Sequence, residues 1–594
     1  MTAERLSLAR RAGFAVMVVL AFVGFMVILA IKRAPSIVQG YNRTTLFSPN
    51  GDGSHDTARF AFRPKQNDEL SVTVVDENGV LVRRLANHRH VTKKTGIVMY
   101  WDGKDGSGHL MPDGAYHLRV EFIGQRRVVS LPGTVTIDTL PPRVRITRID
   151  PAPGGGPPVV PGRAPATIHW SAKGGRAPDF IAYRTDGGRV REVARFGGSV
   201  KTHTATWNGR LDTGRAAPAG TYFIAAELPD RVGNIGTDPS RLPPRRRLYR
   251  VHRGVTVRYL AALPPLEPVS AGAVAAVHVD ARGRRYTWVL RPAGGGRRVG
   301  AGAGGRPTLH VRVPPRRSGL YLLSIRADGH RTTVPIAAQA PRRHSAPLLV
   351  VLPSITWQGR NSSDDDGDGF PEVLDSSSAV RLDRPLARGL PDGFRGSEDP
   401  MLGFLRREHT QFDLTTDLAL VRGVGPKLGG HRGVLIAGDA RWLPDNITQG
   451  LRAYVARGGR VASLGVESMR RDVRVSGTRL VAPTPPAPTD ALGSRIAPLE
   501  AGPQTLLPLT DRIGLLAGHA IAGVRDFEAT TQSPGEAAPL ATAGQSAARP
   551  VTIAYELGRG IVIRTGVRGF AGRIETDRAA AAIARRIVAI LTRG

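Results

Sequence analysis

The chain contains no cysteine. That excludes thiolate nucleophiles, thiolate metal ligands, disulfide staples and thiol redox roles. Lysine is scarce as well: eight of the 83 basic residues are lysine, and the rest are arginine. Acidic residues number only 49, so the formal charge is +34. Two readings of this surplus stay open. One is attraction to anionic polymers such as wall polyanions, lipid head groups or nucleic acid. The other is coding bias, because the arginine is spread along the chain and Ala, Gly and Pro are abundant too. No basic cluster is interleaved with aromatics, so no specific nucleic acid partner is expected.

One stretch lacks charge altogether. Ala12–Ile31 (AGFAVMVVLAFVGFMVILAI) is twenty uncharged positions. As a helix it would reach roughly 30 Å, the thickness of a bilayer's hydrocarbon core. The sequence therefore predicts a transmembrane helix over 12–31, a cytoplasmic stub over 1–11 and an extracytoplasmic C-terminal bulk. Arg5, Arg10 and Arg11 precede the span, and Lys32 and Arg33 follow it, which blurs the orientation. A cleaved signal peptide is the competing reading. It would have a shorter apolar region, about 7–15 residues, and a small-residue cleavage site that AIKRAPS does not offer.

The remainder exceeds what one core supports, so several domains are expected. Pro- and Gly-rich stretches such as PAPGGGPPVVPGRAP (Pro151–Pro165) and PSRLPPRRR (Pro239–Arg247) read as linkers. Between them, alternating runs such as LSVTVV (Leu70–Val75) and YHLRVEF (Tyr116–Phe122) read as strands of β-sandwich modules. One repeat is clear. Trp101-Asp102-Gly103, Gly108, Pro112, Gly114 and Tyr116 recur at identical offsets as Trp207-Asn208-Gly209, Gly214, Pro218, Gly220 and Tyr222. Asp-Gly and Asn-Gly supply turn positions with positive φ, and the aromatic opens the next strand. Modules are expected over 40–140, 141–240 and 250–340. FSPNGDGSHD (Phe47–Asp56), followed by the Trp-Asp-Gly to Tyr block, resembles the Ig-like domain of the flagellar hook-capping protein. That resemblance implies a packing or spacer module.

Beyond Ser345 the pattern changes. LLVVL (Leu348–Leu352) and GVLIA (Gly433–Ala437) are continuous apolar runs, as in strands buried on both faces. Between and after them lie helical stretches. Pro444–Arg457 places Ile447, Leu451, Tyr454 and Val455 on one face, and Asp577 is a plausible cap for a final helix. Alternating strand and helix predicts a three-layer α/β domain over 346–594. LPSITWQ (Leu352–Gln358), VLIAGDARWLPDNITQGLRAYVARGGRVASLG and GRGIVIRTGVRGFAGR resemble the C-terminal domain of the N,N-dimethylformamidase large chain. The resemblance implies a class I glutamine-amidotransferase-like fold and an iron-dependent amidohydrolase with tyrosine and glutamate ligands. This chain departs from the family pattern at two ligand positions. A Tyr-Asn pair is replaced by Arg360-Asn361, and Gly-His-x-Glu-Tyr-Trp is replaced by Gly438-Asp439-Ala440-Arg441-Trp442. Guanidinium offers no lone pair to a metal. No iron and no amide hydrolysis by that route are therefore expected. Trp357, Asp439, Arg441 and Trp442 mark the candidate pocket. A rearranged enzyme using Asp439, Glu467 or His431 is the alternative, and it requires those side chains to converge near Trp357.

One constellation has ligand chemistry. Asp364, Asp366 and Asp368 stand at positions 1, 3 and 5 of a calcium-loop frame, with Gly369 at 6, the Phe370 carbonyl at 7 and Asp375 at 12. Glu372, at position 9, is placed to ligate through water. Structural calcium is the expected cofactor. Asn50, Asp52 and Asp56 form a weaker acidic turn, better suited to capping a strand. The expected protein is a membrane-anchored surface protein with an Ig-like stalk and a non-catalytic α/β domain.

Overall fold

The computed structural model describes residues 13–26, 37–151, 158–160, 164–173, 176–247, 249, 251–315, 318–340, 345–534 and 539–593. Strand outweighs helix, 43% to 13%, so the chain is mostly β. This corrects the expected fold class at its N-terminus and in its overall balance. The N-terminal helix covers residues 13–26, only 14 residues. At about 1.5 Å per residue it reaches roughly 21 Å, short of a hydrocarbon core. Among the described residues no helix is long and apolar enough to cross a membrane. The expected transmembrane helix over 12–31 is therefore not supported, because an uncharged run sets hydropathy and not helix length. Residues 12 and 27–31 of that span lie outside the described residues.

The chain divides into two compact units. The first comprises residues 1–144, 172–178 and 227–237. A three-stranded sheet (Val38–Arg43, Ala58–Pro64, Ile97–Trp101) and a six-stranded sheet enclose one core of Phe47, Phe60, Val72, Trp101, Leu118 and Val120. The strand Ala58–Pro64 alternates buried and exposed side chains, as a half-buried strand must.

The second unit comprises 145–171, 179–226 and 238–594. Its first module carries the second copy of the repeat. Trp207 is buried, and its Nε1 donates to Arg210 O at 3.0 Å. Tyr222 Oη donates to Pro218 O at 2.7 Å. In the first unit Trp101 donates to Lys104 O at 2.8 Å and Tyr116 to Pro112 O at 2.7 Å. Gly103 and Gly209 take φ of 74° and 71°, which the shared turn requires. A third β module follows, with a core of Val277, Leu290, Val311, Leu323, Ile325 and Val334.

The C-terminal region is built on a nine-stranded sheet. We label its strands β1 (Leu348–Leu352), β2 (Phe412–Thr416), β3 (Gly433–Ile436), β4 (Arg460–Ser463), β5 (Glu500–Asp511), β6 (Ile521–Phe527), β7 (Ala541–Gly544), β8 (Pro550–Leu557) and β9 (Gly560–Thr565). The order is β2-β1-β3-β4-β9-β8-β7-β5-β6. From β2 to β9 neighbours are parallel, and from β9 to β6 they are antiparallel. The β1 run is apolar throughout because both of its faces are covered. Leu348, Val350 and Leu352 pack with Ile583, Ile587 and Leu591 of the terminal helix Arg578–Thr592, whereas Leu349 and Val351 pack with Ile447 and Leu451 of the helix Asp445–Ala456. Asp577 caps the terminal helix, accepting from Ala579 N and Ala580 N.

Candidate functional site

The acidic loop follows the short helix Ser354–Gly359. Carboxylate oxygens of Asp364, Asp366, Asp368 and Glu372 all lie within 4.8 Å of one another. Backbone turns hold them there. Gly367 N and Gly369 N donate to the two Asp364 oxygens at 2.7 and 3.0 Å, Asp368 N to Asp366 at 3.0 Å, and Phe370 N to Asp368 at 2.7 Å. Gly369 has φ of +89°, and a Cβ there would meet the Phe223 side chain. Burial pushes the Asp364 carboxyl up to about 7 and the Glu372 carboxyl up to about 8, with the neighbouring acids adding to both. Asp375 stands apart from this group. It is paired with Arg471.

The loop is docked on the module that carries Trp207. Gly254 N donates to Gly367 O at 2.7 Å, and Thr185 Oγ1 to Gly369 O at 2.6 Å. The Phe370 ring lies 5.6 Å from the Phe223 ring, and Arg246 pairs with Glu372 at 2.6 Å. The acidic turn near Asn50 is satisfied internally. Asp56 accepts from Gly51 N and Gly53 N, each at 2.8 Å.

The candidate pocket lies at the carboxyl ends of β1, β3 and β4, where open sheets of this order place ligands. Trp357 Nε1 donates to Glu398 Oε1 at 2.9 Å. Glu398 is fully buried, and desolvation pushes its carboxyl up to about 7. Its Oε2 has no hydrogen-bond partner among the described residues. Asp439 accepts from Val466 N at 3.0 Å, and burial raises its pKa against the pull of Arg441, Arg568 and Arg360. Arg441 is paired with Glu467 at 2.5 Å. Arg471 sits 5.1 Å from the Trp442 ring centroid. Trp442 is fully buried and packs with Ile355, Leu374 and Leu418, so it serves the core. A cleft of about 60 Å³ opens beside Trp357, lined also by Leu266, Leu320, Gln358 and Thr416.

His431 is elsewhere. It precedes β3, whereas Asp439 follows it, and its Nε2 lies 3.0 Å from Asp413 Oδ2. Asp439 and Glu467 approach each other through Val466, but the three residues do not converge. Glu398 escapes the sequence reading. Opening the helix Glu398–Arg407, it reads as an ordinary first-turn acid, and only the tertiary fold buries it. Arg564, held between Glu528 and Asp490, escapes for the same reason.

The two positions where the resemblance implies iron ligands carry guanidinium groups. One expected ligand position holds Arg360, whose positive charge disfavours the Arg441 cation, and the other holds Arg441 itself, ion-paired. Two adjacent guanidiniums repel a cation and offer it no lone pair.

Two family models match the chain. Residues 302–485 match the N,N-dimethylformamidase beta subunit-like, C-terminal family, and residues 49–124 match the FlgD Ig-like domain. Comparison with curated protein sequences gives no match. Among solved structures, a beta-galactosidase from Rahnella sp. R3 is 15% identical, with a TM-score of 0.23, over 32% of this chain and 26% of that one. An exo-beta-1,4-mannosidase from Opitutaceae bacterium strain TAV5 is 13% identical, with a TM-score of 0.26, over 42% and 37%. A bacterial ice-binding adhesin is 13% identical, with a TM-score of 0.21, over 51% and 98%. The chain thus spans about a quarter of the galactosidase, and these likenesses carry no argument about function. What the family models establish is that this chain carries a FlgD-type Ig-like domain at 49–124 and an N,N-dimethylformamidase-like region at 302–485.

Proposed function

We propose that this chain is a binding and structural protein that works outside the cytoplasm, with β modules carrying a non-catalytic dimethylformamidase-like region. The observation that carries the reading is the Arg441–Glu467 ion pair beside Arg360, which fills with paired arginine the place where an anionic ligand set would be needed. The acidic loop takes calcium as a structural ion. Four carboxylates gathered within 4.8 Å and packed against a β module support that role. The surplus of basic residues supports binding to anionic polymers. The test is metal analysis and amide hydrolysis on the purified protein. Calcium without iron, and no hydrolysis of N,N-dimethylformamide, is the expected result. Stoichiometric iron with hydrolysis overturns the reading.

A second reading, an acid–base enzyme with a rearranged site, is favoured by one observation. Glu398 is a buried carboxyl with an unpartnered oxygen, near Asp439. Activity against any small amide that disappears in Glu398→Gln, with folding intact, would establish it.

A further inference from the structure

We infer that the third β module carries a binding site for a phosphodiester polymer, which deepens and rests on the anionic-polymer reading above. The site is a concavity of about 530 Å³ lined by Arg285, Thr287, Arg326, Asp328, His330 and Arg331. Arg326 and Arg331 stand directly opposite each other on the adjacent antiparallel strands Gly319–Ala327 and His330–Gln339. Like charges in that relation destabilise a sheet unless something neutralises them. All three arginines are exposed, and among the described residues none is in an ion pair. Arg331 donates to Ser324 Oγ at 3.2 Å. The lining has one carboxylate, Asp328, in the turn between the two strands.

The geometry favours phosphate over carboxylate. A planar carboxylate is satisfied by one guanidinium fork. In a phosphodiester the two non-bridging oxygens diverge from a tetrahedral phosphorus, one towards each guanidinium, and facing arginines about 5 Å apart at their backbones present two. Arg285 on the same rim adds a further contact, so a ligand with repeated phosphates fits better than a single ion. The rings present argue against single-stranded nucleic acid, which seeks free aromatic platforms. Tyr286 is buried with its hydroxyl donating to Arg306 O at 2.8 Å, and His330 is stacked on Tyr259 at 4.2 Å. A polymer whose phosphates are joined by units without bases needs no such platform.

The experiment uses the full chain and labelled synthetic poly(glycerol phosphate), with affinity read by fluorescence anisotropy. Arg326→Ser with Arg331→Ser is expected to weaken binding by about tenfold, through loss of two charge-assisted forks. Arg119→Ser with Arg127→Ser removes the same charge from exposed positions of another module and is expected to change affinity less than about twofold. Equal losses in both variants overturn the site while leaving the polymer-binding reading intact. No binding by the unaltered chain overturns both. Poly-glutamate of matched charge binding as tightly overturns the phosphodiester assignment, and oligo-thymidylate binding as tightly overturns the restriction to chains without bases. The single substitutions repeat the comparison if the double variant unfolds.

Discussion

Trp207 illustrates what one residue contributes here. It is 2% exposed, its ring lies 5.0 Å from that of Tyr222, and its N–H is satisfied by Arg210 O. Trp207→Ala leaves a large cavity and an orphaned carbonyl. We expect it to destabilise the second unit by about 3–5 kcal/mol, measured by urea unfolding. Arg564 is a different case. Its guanidinium lies between Glu528 and Asp490, and all three are buried. Arg564→Met leaves two buried carboxylates without their cation, with an expected loss of about 3–5 kcal/mol. Little or no loss would show that water reaches the site. Asp417 has a pH signature. Burial pushes its carboxyl from 3.8 up to about 7, while Ser354, Ile355 and Leu418 all donate to its Oδ1. The folded chain thus holds a proton that the unfolded chain releases at lower pH. The stability this group contributes is present below about pH 4 and is lost as pH rises toward 7. Asp417→Asn is expected to flatten that part of a Tm-against-pH profile. A profile parallel to the unaltered chain's would count against it.

At the scale of elements, the acidic loop joins local turn chemistry to packing between a β module and the nine-stranded sheet. Its frame was legible as Asp364, Asp366 and Asp368, since a tight loop sends alternate side chains inward. The fourth acid was legible only as a ligand through water. Spacing points to Asp375, whereas the fold gathers Glu372 with the three aspartates and gives Asp375 to Arg471. Arg471 lies almost a hundred residues later, so no local rule reaches it. If the loop holds calcium, the ion stabilises the folded state by about 2.7 kcal/mol at a hundredfold excess over Kd. A calcium-dependent rise in Tm, reversed by chelator and absent in Asp366→Asn, is the expected outcome. A Tm indifferent to calcium sinks the structural role.

For the whole molecule, charge is the dominant property. A formal +34 makes association with polyanions depend steeply on ionic strength, because salt screens exposed charge. Affinity for poly(glycerol phosphate) should fall progressively as sodium chloride is raised from about 50 to about 200 mM. Salt-insensitive binding would mean that contact is not electrostatic. The N-terminal apolar run shows the limit of reading from composition. Hydropathy along 12–31 suggested a membrane span, but the described helix occupies 13–26 and is too short for one.

The sequence by itself determined what depends on neighbours within a few positions. The Trp-x-Gly turns, the doubly buried β1 run, the amphipathic helix Asp445–Ala456 and the Asp577 cap all follow from local periodicity, turn and capping chemistry. The loss of lone pairs at Arg360 and Arg441 is likewise written in residue identity. Only the tertiary structure decided which distant groups meet. It buried Glu398 against Trp357, parted His431 from Asp439 across the length of β3, and set Arg326 against Arg331 across a hairpin. Desolvation and ion pairing act through space, between residues that the chain order keeps apart.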